Sequence, residues 1–121
     1  MVHKIRKTNP ILLSLIQNLK KNSYEHDAPI WKDIALRLEK PSKNGPQINL
    51  ERIDKNINEN ETALIPGKVL SSGTLSKKIT IAAWSYSKKA EEKIRTAGCK
   101  SMTIEELIQS NPKGEKVRIL G

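Results

Sequence analysis

Two apolar stripes near the start of the chain, repeated at the same spacing 19 residues apart, constrain its fold more than any other feature. Ile11, Leu12, Leu15, Ile16 and Leu19 recur at the 3.6-residue period of a helix, and Ile30, Trp31, Ile34, Ala35 and Leu38 repeat that pattern. Asn9 stands where a capping acceptor belongs, and Pro10 takes the first helical position, where its missing N–H goes unnoticed. Pro41 stops the second stripe, because the residue before a proline is pushed out of the helical region. The spacing predicts one helix from Pro10 and another over 29–40, joined by the polar link 22–27 into a hairpin whose apolar faces meet. Leu13 falls off the first stripe, as an exposed or contact position.

The segment 41–46, Pro-Ser-Lys-Asn-Gly-Pro, is a basic, turn-rich loop, and after it the period changes. Asn49 can cap a short helix carrying Leu50, Ile53 and Ile57, and residues 63–65 form a strand ending at Pro66-Gly67. Residues 79–84 alternate as a buried strand does. A helix over 87–97 turns Ala90, Ile94 and Ala97 inward and ends at Gly98, a left-handed stop. Residues 99–102 make a short strand, Thr103 and Glu106 a capping box for the next helix, and 117–120 the last strand. The expected organisation is an α/β fold: a basic arm, helical hairpin and basic loop over 1–47, then an α/β core over 48–121. With 36% hydrophobic residues and no Phe, its core must be mostly aliphatic.

Charge narrows the function. Lys and Arg number 22 against 13 acidic residues, a net +9 and a pI near 9.8, which suits a polyanionic partner, nucleic acid or an anionic membrane surface. A merely soluble basic protein is the plain alternative. The excess is spread along the chain, with 11 basic and 7 acidic residues up to Asn60 and 11 and 6 after it, unlike a basic tail on a neutral domain. The amphipathic helices carry too little positive charge on their polar faces for a membrane-surface role. No run approaches the roughly 18 apolar residues of a membrane span. The basic start has no apolar stretch of a secretory signal, and the lone Cys99 suits a reducing compartment, so a cytosolic location is expected.

Catalytic sets are wanting. His3 and His26 lie in polar stretches, and two histidines with one cysteine do not make a zinc site. Gly67-Lys68 fails as a phosphate loop, with Thr62 where the first glycine belongs and Val69 where Ser or Thr should bind magnesium. The pairs Glu91-Glu92 and Glu105-Glu106 diverge around their helices. No enzyme, cofactor, metal or small-molecule substrate is therefore expected.

Four aromatic rings, two at core positions, give no stacking platform for single strands, so the chain should bind folded RNA by shape and charge. The candidate RNA contacts are Lys4, Arg6 and Lys7 in the arm, Lys40 and Lys43 at the loop, and Lys68, Lys77 and Lys78 around the glycine segment. Lys88 and Lys89 are a sharper case. They occupy the first turn of a helix, where the macrodipole disfavours cations. A phosphate docked there would relieve the conflict. The alternative is that exposed lysines at that place cost a few tenths of a kcal/mol and bind nothing.

Several motifs in fixed order resemble the family of large-subunit ribosomal protein eighteen in its archaeal and eukaryotic form. They are Thr8-Asn9-Pro10, the run 31–41 from Trp31 to Pro41, Ile48-Asn49-Leu50-Glu51-Arg52-Ile53 and Pro66-Gly67-Lys68-Val69-Leu70. The run 68–75, Ser87-Lys88-Lys89-Ala90 and Lys93-Ile94 also resemble bacterial large-subunit protein fifteen. Asn111-Pro112-Lys113-Gly114 through Ile119 extends the likeness to essentially the whole chain, at the compact length of the archaeal form. The family pattern has glycine at Ser71, phenylalanine at Tyr86 and a charge at Leu36. The resemblance implies a core of irregular strand–strand–helix turns, large-subunit ribosomal RNA and neighbouring ribosomal proteins as partners, and no catalysis. A free RNA-binding protein acting in RNA processing or regulation is the second expectation.

Overall fold

The computed structural model describes residues 10–39 and 47–120. Helices α1 (Pro10–Glu25) and α2 (Pro29–Glu39) form the expected hairpin. Its seam is made by Leu12, Leu15, Ile16 and Leu19 against Trp31, Ile34, Ala35 and Leu38, all buried. Helix α1 runs further than its apolar stripe predicts. The Asn22 side chain donates to the Asn18 carbonyl at 2.8 Å, satisfying a polar residue inside the last turns, and Asp27 makes the turn at φ 50°. Ile11 is not part of the seam: at 66% exposure it borders, with Leu15, Trp84 and Ile104, a shallow cleft at the sheet's edge. The Asn9 cap and the basic loop 41–46 lie outside the described residues.

The second part alternates strands and helices: β1 (Gln47–Asn49), α3 (Leu50–Asn56), β2 (Thr62–Leu70), β3 (Thr80–Tyr86), α4 (Lys88–Thr96), β4 (Lys100–Thr103), α5 (Ile104–Ser110) and β5 (Val117–Ile119). Every pairing in the sheet is parallel, in the order β1-β2-β3-β4, with β5 also on β2. A strand has two edges, so β5 beside residues 62–64 and β1 beside 68–70 share the edge that β3 leaves free. The sequence predicts a strand that ends at Pro66-Gly67, yet β2 passes through them. Between Ile65 and Lys68 it advances three residues while β3 advances two, from Ala83 to Ser85. The extra residue is a bulge, which is where a sheet tolerates a proline without an N–H.

The sheet is covered on both faces, as parallel sheets are. Leu64 and Ala82 point to the side of α1, α2 and α5, while Ala63, Ile65, Ile81 and Ala83 point to the side of α3 and α4. Among the described residues no charged side chain is buried. Where the family pattern has phenylalanine, the Tyr86 hydroxyl has found partners. It donates to the Met102 carbonyl at 2.6 Å and accepts from the Met102 N–H at 3.3 Å, tying β3 to β4. Burial pushes its phenol well above the ordinary range.

Candidate nucleic-acid interface

Because the strands run parallel, β1, β2 and β3 all end at one edge of the sheet, the place where open α/β sheets bind ligands. Three chain segments meet there. Asn49 closes β1, residues 70–73 leave β2, and Ser87 leads from β3 into α4. Together they line an open groove of about 870 Å³, whose far wall carries Lys88, Lys89, Glu92 and Lys93.

The groove's loop wall is fixed by hydrogen bonds. Lys93 Nζ donates to the carbonyls of Ser71 at 2.8 Å and Gly73 at 3.0 Å. The Ser72 N–H donates to Asn49 Oδ1 at 3.1 Å, and the Ser72 carbonyl accepts from the Glu51 N–H at 3.0 Å. Asn49 thus begins α3 in the expected place but spends its side chain on the loop instead of on the helix. Gly73 (φ +90°) lies so close to Glu51 that a Cβ there would sit 2.4 Å from the Glu51 Cβ. Further along, Asp54 accepts from the Ser76 N–H at 2.9 Å and the Ser76 hydroxyl at 2.8 Å. Lys77 Nζ donates to the carbonyls of Asp54 and Ile57, at the end of α3.

Partial desolvation would raise the Asp54 carboxyl, but the Ser76 hydrogen bonds and the Lys77 charge outweigh it and hold it below its ordinary value. A carboxyl depressed in the folded state contributes stability that is full above its unfolded pKa of about 3.9 and is lost as pH falls through the lower folded value. We therefore expect the Ser76 amide to follow a titration with its midpoint below the ordinary aspartate range in an NMR pH series. A midpoint at or above that range would show that the contact to Asp54 does not form in solution.

At the other wall, Ser87 caps α4 by accepting from the Ala90 N–H at 3.1 Å. The N–H groups of Lys88 and Lys89 come before any helical carbonyl one turn back, so α4 itself cannot satisfy them. Both side chains are exposed beside the groove. Of the other residues expected to touch RNA, Lys4, Arg6, Lys7, Lys40 and Lys43 lie outside the described residues. Lys68 is half-buried within β2. Lys77 is engaged with α3. Lys78 is exposed but precedes β3, at the opposite edge of the sheet from Lys88 and Lys89. The structure therefore brings Lys88 and Lys89 together on the groove, which Lys68, Lys77 and Lys78 do not line.

Lys93 joins this place without having been expected there, although its spacing from Lys89, one helical turn, signals that both share a face. Ser71, Ser72 and Asn49 give no comparable signal. Among the described residues no group of three His, Cys, Asp or Glu is placed to hold a metal ion, and no helix is long and apolar enough to cross a membrane.

The family model that describes ribosomal proteins fifteen and eighteen-e of the 50S subunit and twenty-seven-A of the 60S subunit matches residues 14–102. Among curated proteins, the chain is 48% identical over 120 residues to the large ribosomal subunit protein eL18 of Methanoregula boonei, and 43% identical over 120 residues to that of Methanothermobacter thermautotrophicus; each match covers 99% of both chains. Against the eL18 protein of Methanococcus maripaludis it is 47% identical over 117 residues, 97% of this chain and 98% of the relative.

Proposed function

Since this chain belongs to the family of 50S ribosomal proteins fifteen and eighteen-e and 60S ribosomal protein twenty-seven-A, we propose that it is a structural constituent of the large subunit of the cytoplasmic ribosome, where it binds folded ribosomal RNA through phosphates and helps hold neighbouring RNA segments and proteins together. The likeness to large-subunit proteins along nearly the full length carries the reading. The net charge of +9 supports the choice of RNA as partner, and the groove between the 71–73 loop and α4 supports a place for it. Lys88 and Lys89 supply ammonium groups and free N–H donors to a phosphate there, while the arm and the loop lysines Lys40 and Lys43 extend the contact. These are electrostatic and positioning roles, and no bond is made or broken.

If about six cations each meet a phosphate, log affinity for folded ribosomal RNA falls with log salt at a slope of about −5. The double variant Lys88→Glu, Lys89→Glu is expected to weaken binding at low salt and to flatten that slope by about 2. An unchanged slope would remove both lysines from the interface, and a wild-type slope near zero would contradict phosphate binding altogether. Membership in the subunit is tested by sedimenting lysate at low salt and at about 0.5 M salt, where the Debye length shrinks to roughly 4 Å and peripheral binders are stripped. One copy per large subunit at both salts is the expected result. Recovery at the top of the gradient would favour a free RNA-binding protein.

A further inference from the structure

The two walls of the groove come from different parts of the chain, the 71–73 loop that leaves β2 and the first turns of α4. At the strand ends they are joined through backbone, where the Ser87 N–H donates to the Val69 carbonyl at 3.0 Å. Further along α4, Lys93 reaches across to the loop, and its ammonium donates to the Ser71 carbonyl at 2.8 Å and the Gly73 carbonyl at 3.0 Å. Two carbonyl oxygens converging on one point repel each other and repel any anion brought before them; a cation held between them removes both effects. On its other side the loop rests on α3, through the hydrogen bonds of Ser72 with Asn49 and Glu51. Lys93 thus adds a second support, and it sets the loop's distance from α4.

We propose that Lys93 is a positioning residue for RNA: it braces the loop wall at the spacing in which Lys88 and Lys89 receive a phosphate, and does not itself meet one. The proposal rests on the reading of this chain as a phosphate-binding RNA protein. Lys93 stands one helical turn beyond Lys89, so the brace lies directly behind the place where the phosphate docks. A loop left to be ordered by the RNA would subtract the cost of that ordering from the affinity, and the brace removes it beforehand. An ammonium has three N–H donors, two of them taken here by the carbonyls. The rival role, in which the third donor meets a phosphate, leaves a different mark on a salt titration. A lysine that neutralises a phosphate contributes about 0.9 to the slope of log affinity against log salt, whereas a positioning residue shifts the line without tilting it.

Full-length wild-type chain, Lys93→Met and Lys89→Met are titrated against folded large-subunit ribosomal RNA over about 50–200 mM salt. Methionine keeps the apolar stem and removes charge and donors, and at this exposed position circular dichroism should be unchanged. Lys93→Met is expected to bind roughly tenfold more weakly at every salt, on a line parallel to wild type. Lys89→Met should instead flatten the slope by about 0.9. In the free chain, amide hydrogen exchange at Ser72 and Glu51 should be faster in Lys93→Met, because those N–H groups close the loop onto α3. A slope flattened by about 0.9 in Lys93→Met would make Lys93 a phosphate contact. Unchanged affinity would show that the brace has no part in binding, and weaker binding with unchanged exchange would show that it does not order the loop. Each of these three results overturns the proposal while RNA binding stands. A wild-type chain without salt-dependent binding overturns both.

Discussion

Replacing Trp31, the bulkiest fully buried side chain among the described residues, with alanine is expected to lower folding stability by about 4 kcal/mol. The ring is fully buried at the centre of the α1–α2 seam, among aliphatic neighbours that cannot collapse into the space it leaves. Its Nε1–H donates to the Pro112 carbonyl at 2.7 Å, so the same residue ties the hairpin to the turn between α5 and β5. Truncation removes the packing and that hydrogen bond together. Out of a total of about 5–15 kcal/mol for a domain of this kind, such a loss leaves little margin. Trp31→Phe keeps most of the volume and loses the donor, so it should cost about 1–2 kcal/mol. Urea unfolding followed by circular dichroism measures both. A loss below about 1 kcal/mol for Trp31→Ala, against the several expected for a buried aromatic ring, would mean that the hairpin does not dock on the rest of the chain as the structure has it.

Gly73→Ala should be nearly as damaging, at about 2–4 kcal/mol, and should act on the groove directly. The new Cβ would lie 2.4 Å from the Glu51 Cβ and 2.9 Å from the Glu51 Cα and N, atoms held by the backbone of α3. No rotamer change relieves that overlap, and φ +90° is itself strained for any L side chain. The loop must move off α3, which breaks the hydrogen bonds linking Ser72 with Glu51 and Asn49 and loosens the wall held by Lys93. Gly98→Ala separates the two causes. Its φ of +75° carries comparable backbone strain, but the nearest atom to a new Cβ is Lys78 Cε, 3.6 Å away. It should cost about 1 kcal/mol and leave RNA binding intact. Equal losses at the two glycines would show that backbone strain alone is at work and that the loop's contact with α3 contributes nothing.

The elements most legible in the sequence are those whose causes lie within one or two turns of chain. The capping box shows this well. Thr103 accepts from the Glu106 N–H and Glu106 accepts from the Thr103 N–H, a reciprocal pair that a three-residue spacing makes possible. Gly98 stops α4 with the left-handed φ its position implies, and the hairpin seam follows the period of its apolar residues. By contrast, β1 has no signature of its own. It is three residues long, and it is a strand because the last third of β2 offers it a partner. The run through Pro66-Gly67 is legible only once β3 is beside it, because the bulge is a mismatch of two strands and neither strand contains it alone.

The interface divides in the same way. Charge spread over the whole chain points to a polyanion, and α4's first-turn lysines lie beside an open groove. Lys77 and Lys78 are adjacent and chemically identical, yet one is spent on the carbonyls at the end of α3 and the other is exposed. Nothing local distinguishes them.

The sequence by itself determined the helical hairpin, the α/β character of the second part, the stop of α4 and the cap of α5, and the charge that suits RNA. Each of these follows from period, local hydrogen bonding or net composition. Only the tertiary structure decided that β1 and β5 share one edge of β2, that the 71–78 loop rests on α3, and that Lys88, Lys89, Glu92 and Lys93 face a common groove. Those arrangements depend on pairings between residues distant along the chain, which are set by how the layers pack and leave no periodic trace in the sequence.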